Sequence, residues 1–465
     1  MVEAQRGLSP SQLEQLRAGF GGDIVTPADD TYDEARRLWN AIHDMRPAVV
    51  VRPTTTAEVA TAIRFARHHD LELAIRAGGH SGSGHSSCDD GLVLDLSRMR
   101  GVTVDPATRT ARANGGALLG ELDVAAQAHG LVCPVGVIGH TGVAGLTLGG
   151  GIGRLQRNFG LTIDNLRAVE LVTADGRLVR ASETEEPELF WGIRGAGWNF
   201  GVVTAFEFGL HPFGPNLNRG VMTYPVSQAQ EVWNAFREYA ANAPETVSVI
   251  YAIDRAEPTD GADGVGDPIV MIAFNHSGDA AAVERDTAGL RRGPKALSAT
   301  SESQPYLEVQ TAHDLALGWG RRSFIKGLYA NDVRPEALDE VVEITASAPV
   351  GSSFSITAQG GAISRLDEDA TAFAGRTARF DLSADSGWDD ATEDEARRAW
   401  VRRVMAIVEP DAIEGRYANE NSDVGPEETR VIYGDAKLAR LADLKRRWDP
   451  DNVFRRNHNI EPAQS

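Results

Sequence analysis

The sequence is short of cysteine, of long apolar runs and of positive charge, and each shortage closes off a class of protein. Cys88 and Cys133 are the only cysteines in 465 residues, too few for the disulfide framework of a small secreted scaffold, so both are expected to be thiols. No run of about 18 apolar residues occurs, and Met1–Phe20 has no basic segment leading into an apolar one; a soluble, cytoplasmic protein with no membrane partner is expected. The 66 acidic residues outnumber 46 basic ones, giving a formal charge of −20. Such a field repels phosphate backbones, so nucleic acid is excluded as a partner. His80, His85 and Cys88 fall close together but lack the paired spacing of a zinc site, and no metal is expected. A complete G-x-G-x-x-G is also missing, which rules out the helix-capped dinucleotide loop. No internal repeat is visible.

What the chain has in plenty is glycine, 48 residues of it, concentrated in two places. In the first, a strand-like run (Leu73, Ala74, Ile75) feeds Arg76 and Ala77, and then Gly78, Gly79, His80, Ser81, Gly82, Ser83, Gly84 and His85 follow. Glycine lets backbone approach a flat or charged ligand closely and aim its N–H groups at it. The second lies within 133–165, where Gly136, Gly139, Gly142, Gly145, Gly149, Gly150, Gly151 and Gly153 put eight glycines in eighteen residues. That density implies backbone pressed against something large and flat, with His140, Thr141, Leu146 and Thr147 as its neighbours.

At this length two domains are expected, since single cores stop growing near about 250–300 residues. The first begins with a capped helix over Ser9–Phe20, a second within Tyr32–Trp39, a buried strand at Ala48–Pro53 and a helix over Thr54–His69 that puts Val59, Ile63 and Ala66 on one face. A strand at Leu92–Leu96, a hairpin turning at Asp105–Thr108 and a helix stopped by Gly130 come next. Strands return over Leu166–Leu210 with a turn at Asp175–Gly176. Proline and glycine rise at His211–Asn218, which places the boundary there: 1–213 as one domain, 214–414 as a second with a sheet covered by helices, and 415–465 as a C-terminal segment. Residues 254–267, acidic and glycine-rich, read as a solvated loop, and an amphipathic helix from Thr429 stops at Asp449–Pro450. The fold class is α+β.

The motifs "RAGGHSGSGHSSCDDGLVLDLS", "GHTGVAGLTLGGGIGRLQRNFGLTIDNL", "RGAGWNFGVVTAFEF", "YAN" and "KRRWDPDNVFRRNHNI" run in this order from about residue 47 to 462. Together they resemble the bacterial berberine-bridge-like enzymes of the vanillyl-alcohol-oxidase (PCMH-type) flavoprotein superfamily. The resemblance implies a two-domain flavoprotein whose C-terminal segment returns to the FAD-binding domain. It implies FAD joined covalently to His80 through the 8α-methyl. A single attachment is expected, because Ile138 stands where relatives with a second, cysteinyl link carry cysteine, and Cys133 then reads as a small buried apolar residue.

Cofactor contacts implied are Arg76, Ala77, Gly78, Gly79, Ser81, Gly82, Gly84 and His85 from the first loop. The second loop would give Gly139, Thr141, Gly145, Leu146, Thr147, Gly150, Gly151 and Gly153, and farther along the chain Gly201, Val202, Val203, Tyr417 and Asn419 would join them. Candidate catalytic residues are Tyr417, Tyr251 and His140, although a tyrosine serves as base only if its pKa falls well below about 10. Thr357 and Gln359 are candidate pocket residues of the second domain.

The implied partners are a hydroxylated, phenolic or polyketide-like small molecule and molecular oxygen, acting on a monomer or homodimer. A narrower likeness, through His80, His140–Thr141, Leu146 and Tyr251, is to the enterocin-pathway type of flavin-N5-oxide polyketide monooxygenase, from which Ser355, Ala144 and Glu420 depart. A sugar oxidase and a flavin carrier without turnover are the competing readings.

Overall fold

A computed structural model describes residues 7–255 and 266–464. Most of the acidic loop expected at 254–267 lies outside the described residues. The chain opens with a helix over Pro10–Ala18, capped by Ser9 and Gln12 in a reciprocal box, and the next, Tyr32–Arg36, stops where Arg37 turns extended. Strands β1 (Asp23–Val25), β2 (Val49–Arg52), β3 (Leu73–Arg76) and β4 (Leu92–Asp95) form a sheet of order β1-β2-β4-β3. In it β4 runs parallel to both β2 and β3. Helix α1 (Thr56–His68) crosses between β2 and β3. Thr55 accepts from the Glu58 N–H while Glu58 reaches back, so the helix starts where the sequence expects. Val59, Ile63 and Ala66 all face the apolar cluster that joins α1 to this sheet.

A five-stranded sheet comes next, built from β5 (Val102–Asp105), β6 (Thr110–Asn114), β7 (Leu166–Val172), β8 (Leu178–Ser182) and β9 (Val202–Gly209) in the order β5-β6-β9-β7-β8. Its apolar face packs on the helices Leu119–Gln127 and Pro187–Ala196.

Seven antiparallel strands form the third sheet: β10 (Asn216–Pro225), β11 (Val247–Arg255), β12 (Pro268–His276), β13 (Ser298–Pro305), β14 (Arg322–Ala330), β15 (Ser352–Ala358) and β16 (Phe380–Trp388), in the order β13-β10-β12-β11-β15-β16-β14. Period-two alternation divides its faces. Val249, Tyr251, Ile253, Phe354, Ile356, Phe380 and Leu382 join one core. Three helices cover that core: α2 (Ala229–Ala240), α3 (Pro335–Ala346) and α4 (Asp394–Val408). The opposite face carries Ile250, Ala252, Ser353, Ser355, Thr357, Asp381, Ser383 and Asp385. The edge of this sheet meets the His80 loop. Ser422 bridges the two, donating its N–H to the Ile325 carbonyl at 3.0 Å while its Oγ lies against Gly82.

The C-terminal helix α5 (Pro426–Trp448) bends at Gly434, whose φ of +71° is left-handed, where sequence periodicity suggested an unbroken helix. Its Ile432, Tyr433, Leu441, Leu444 and Trp448 share one cluster with Val169, Leu189 and Phe206 of the first half of the chain. The fully buried Lys445–Asp449 pair, 2.8 Å apart, fixes the segment beyond the helix. Lys445 also donates to the carbonyls of Asn199 and Phe454, and Asp449 accepts from the N–H groups of Val453 and Phe454. The tail is thereby turned back across the first half of the chain.

Candidate active site

The two glycine loops meet back to back. A β-carbon on Gly78 would lie 2.2 Å from the Gly142 nitrogen, and one on Gly142 would lie 2.4 Å from that of Gly78. Only two residues without side chains can approach so closely. Gly142→Ala is therefore expected to cost about 1–3 kcal/mol of stability by overpacking and to leave the purified chain poor in cofactor; urea unfolding and the visible spectrum measure the two.

Most glycines of the second loop are crowded by the protein itself on the side where a β-carbon would stand. Added β-carbons at Gly136, Gly139, Gly149, Gly150, Gly151 and Gly153 would meet Leu146, Asp314, Trp198, Phe373, Thr162 and Val135 respectively, each within 2.8 Å. Gly145 alone of the eight has no neighbour within 4 Å, and it is exposed, so the open side of this loop is at Gly145–Leu146.

His80 is held at the junction. Its Nε2 lies 2.7 Å from His140 Nδ1, its Nδ1 3.4 Å from Thr141 Oγ1, and its ring stacks on Trp39 with centroids 4.8 Å apart. The tautomers are set from the far end of the chain of contacts. His140 Nε2 faces the Asp314 carbonyl at 3.3 Å, and a carbonyl can only accept, so that nitrogen carries the proton and His140 Nδ1 accepts from His80 Nε2–H. His80 Nδ1 is left with its lone pair. Burial, and then the neighbouring His140, push the His80 pKa down to about 3, which keeps the imidazole neutral and nucleophilic at any pH the protein meets.

Tyr417 and Asn419 reach the second loop from the opposite side. The Tyr417 hydroxyl accepts from the Ile152 N–H at 3.1 Å and from Asn419 Nδ2 at 3.0 Å, and Asn419 also donates to the Leu146 carbonyl. Burial holds the Tyr417 phenol above its ordinary range, against the two hydrogen bonds from Ile152 and Asn419 that lower it.

Tyr251 is corrected outright. It is fully buried on the helix-covered face of the sheet, packed on Trp233 and Phe236, and its hydroxyl donates to the Ala229 carbonyl. One-residue parity decides this: Ile250 and Ala252 face the site, and Tyr251 cannot.

Arg76 is likewise turned away, bound to Asp95 at 2.6 Å. Ala77 packs with Gly142, Gly84 abuts His43, and Ser81 Oγ accepts from the His85 N–H. Gly201, Val202 and Val203 lie in or beside the β9 ladder, with both valine side chains buried. Cys133 is buried in the apolar cluster, and its thiol is raised by burial.

Among the described residues, buried polar atoms around these loops lack a hydrogen-bond partner: Thr147 Oγ1, Asn421 Oδ1, Asn457 Oδ1 and His458 Nδ1. Asn457 and His458 come from the tail and were not singled out by the sequence; the Asn-His-Asn run is a polar triplet at the end of a buried segment, and that was the available signal. His85 packs edge-on to His458 at 5.1 Å.

Burial lowers the His458 pKa to about 4. The unfolded chain, near 6.5, takes up the proton first, so this residue's contribution to stability is lost as pH falls from about 6.5 towards 4. Glu420 and Asp385, whose carboxyls burial raises, act with the opposite sign, so the comparison must be with a variant. His458→Gln is expected to gain on the parent in urea midpoint between pH 7 and pH 5.

The sequence matches the family model described as "FAD binding domain" over residues 47–182 and that described as "Berberine and berberine like" over residues 416–461. It is 31% identical over 463 residues to (R)-6-hydroxynicotine oxidase of Paenarthrobacter nicotinovorans, covering 96% of this chain and 97% of the relative. It is 30% identical to an FAD-linked oxidoreductase of Dictyostelium discoideum, covering 96% of this chain and 95% of that one. Among solved structures, 6-hydroxy-D-nicotine oxidase from Arthrobacter nicotinovorans superposes with a TM-score of 0.83 at 29% identity over 96% of this chain and 98% of that chain. The BBE-like 1 protein of Physcomitrella patens does so with 0.87 at 24% identity, over 97% and 99%, a likeness of fold.

Proposed function

The chain belongs to the FAD-linked, berberine-like oxidoreductases, and from that premise we propose that it is an oxidase holding FAD through a single covalent bond to His80 Nδ1 and oxidising a hydroxylated, phenolic or polyketide-like small molecule with oxygen as electron acceptor. The observation that carries this reading is a neutral imidazole with one unprotonated nitrogen, set where two glycine loops touch. Such a nitrogen is the nucleophile a flavin 8α-methyl requires, and a tethered cofactor cannot leave an open site.

The residues present fit FAD. The partnerless atoms of Thr147, Asn421, Asn457 and His458 are the donors and acceptors a polar cofactor would satisfy, and the open side of Gly145–Leu146 gives it room. FAD, when bound, supplies the two-electron acceptor. The chain supplies the rest: loop N–H groups of 78–84 to hold phosphate oxygens, Tyr417 and Asn419 to fix the second loop, and the polar, half-buried face of the seven-stranded sheet, with Thr357 among its residues, to meet the substrate. In this reading 1–213 and 415–465 hold the cofactor, and 214–414 shapes the pocket. A single attachment is supported by Cys133, which is buried among apolar side chains.

Anaerobic reduction followed by mixing with oxygenated buffer tests the oxidase. The expected result is return of the oxidised spectrum with hydrogen peroxide stoichiometric to flavin. Peroxide well below that ratio would favour the oxygen-incorporating alternative, and a chain without flavin bands would overturn both.

A further inference from the structure

At one end of the seven-stranded sheet, a cavity of about 350 Å³ opens beside the Ala240 end of α2 and the residues that follow β15. Gln359 extends the β15–β16 ladder by one step, donating its N–H to the Arg379 carbonyl at 2.9 Å, so these two residues sit side by side in the lining. Arg157 joins them from the short helix Gln156–Phe159 of the first half of the chain. No residue of either glycine loop lines this space.

Arg157 is 4% exposed, yet no carboxylate among the described residues holds it. Its Nε donates to the Val247 carbonyl at 2.8 Å, and its two terminal nitrogens donate to the carbonyls of Gln359 and Ala243. Those bonds fix the guanidinium, but they leave its charge unanswered and two of its five N–H groups unused. Gly361, left-handed at φ +60°, folds the chain over Arg157: a β-carbon there would strike the Arg157 carbonyl at 2.4 Å. Gln359, 6% exposed, keeps Nε2 without a partner among the described residues. Arg379 is exposed, stands over the Phe380 ring at 5.3 Å and pairs with no carboxylate among the described residues. Glu245, the acid in the lining, is already engaged by Arg365 at 2.8 Å.

A buried cation and a buried amide without partners are each costly, and one arriving anion relieves both. In a chain charged at −20, two arginines without acids at one cavity reverse the sign locally. The planar fork of arginine matches a carboxylate, while Ala240, Ala378 and Phe380 give the cavity an apolar wall for an organic body. We propose that Arg157, Gln359 and Arg379 form a binding site for a small organic carboxylate, separate from the two glycine loops. It stands whether or not the chain carries FAD.

Calorimetric titration of the purified full chain with benzoate, with benzamide as a neutral counterpart of the same shape and with inorganic phosphate as an anion lacking the organic body, tests the site. Benzoate is expected to bind at least about tenfold more tightly than either, equal to about 1.4 kcal/mol. Gln359→Leu removes the unpartnered donor at similar volume, and Arg379→Gln removes an exposed cation. Each is expected to weaken benzoate at least about fivefold and to leave benzamide unchanged, as loss of a hydrogen bond or ion pair to a charged ligand does. Thermal unfolding of Arg379→Gln is expected within about a degree of the parent, as for an ordinary surface substitution, which separates loss of the site from loss of the fold. Benzoate binding no tighter than benzamide or phosphate, or a benzoate affinity that survives either substitution, would overturn the proposal.

Discussion

His80→Ala is expected to turn a protein that stays yellow through acid precipitation into one whose colour remains in the supernatant, with covalent flavin falling from about one per chain to none. Neither Cys133, 1% exposed among apolar neighbours, nor Ile138, which has no nucleophile, can replace the tether. Turnover is expected to fall by at least about tenfold, roughly 1.4 kcal/mol in the barrier, because the alkylated flavin is the stronger electron acceptor. The folded chain should survive the change, since the His80 loop is fixed by glycine contacts and by Asn40, which donates to the Gly82 carbonyl. Absorbance of the acid supernatant and pellet separates loss of the tether from loss of the fold.

Lys445→Ala carries the largest expected cost in stability. Both members of the Lys445–Asp449 pair are fully buried, so removing the ammonium strands a carboxylate away from water, and losses of about 3–5 kcal/mol are usual in that situation. Two carbonyls, of Asn199 and Phe454, lose their donor at the same time. Urea unfolding should show the midpoint drop with little change in slope. A double replacement, Lys445→Met with Asp449→Leu, is expected to recover part of the loss, which would distinguish an unpaired charge from simple loss of packing. Because the same pair positions Asn457 and His458, the single variant should also be isolated with less cofactor.

The first half of the chain was legible because its signals are local. Thr55 and Glu58 cap α1 three residues apart, and the glycines around His80 occur as one run. The partners of the second loop are not local: Gly149 meets Trp198, Gly150 meets Phe373, and Gly153 meets Val135. Sequence shows that such glycines are crowded but not by what. Tyr251 failed for a different reason. Val247–Arg255 carries apolar residues on both faces, so alternation cannot say which is the helix side, and only pairing with Ile272 and Ile356 does.

The carboxyls of β16 were half visible. Asp381, Ser383 and Asp385 alternate with Leu382 and Ala384, which marks a polar strand face, but its direction is set by strands far away in sequence. The return of the tail to the first half of the chain came from family resemblance, and its physical basis, the buried lysine and aspartate, lies in a helix end that reads as an ordinary charged terminus.

The central claim, one covalent bond between His80 and FAD, is tested most directly by proteolysis of the purified protein followed by mass spectrometry of the yellow peptide. The account predicts that the peptide containing His80 carries the full mass of the flavin, that the peptide containing Cys133 carries none, and that no unmodified His80 peptide accompanies a fully yellow sample. An unmodified His80 peptide recovered in full from such a sample, with flavin free in solution or joined to another residue, would contradict it.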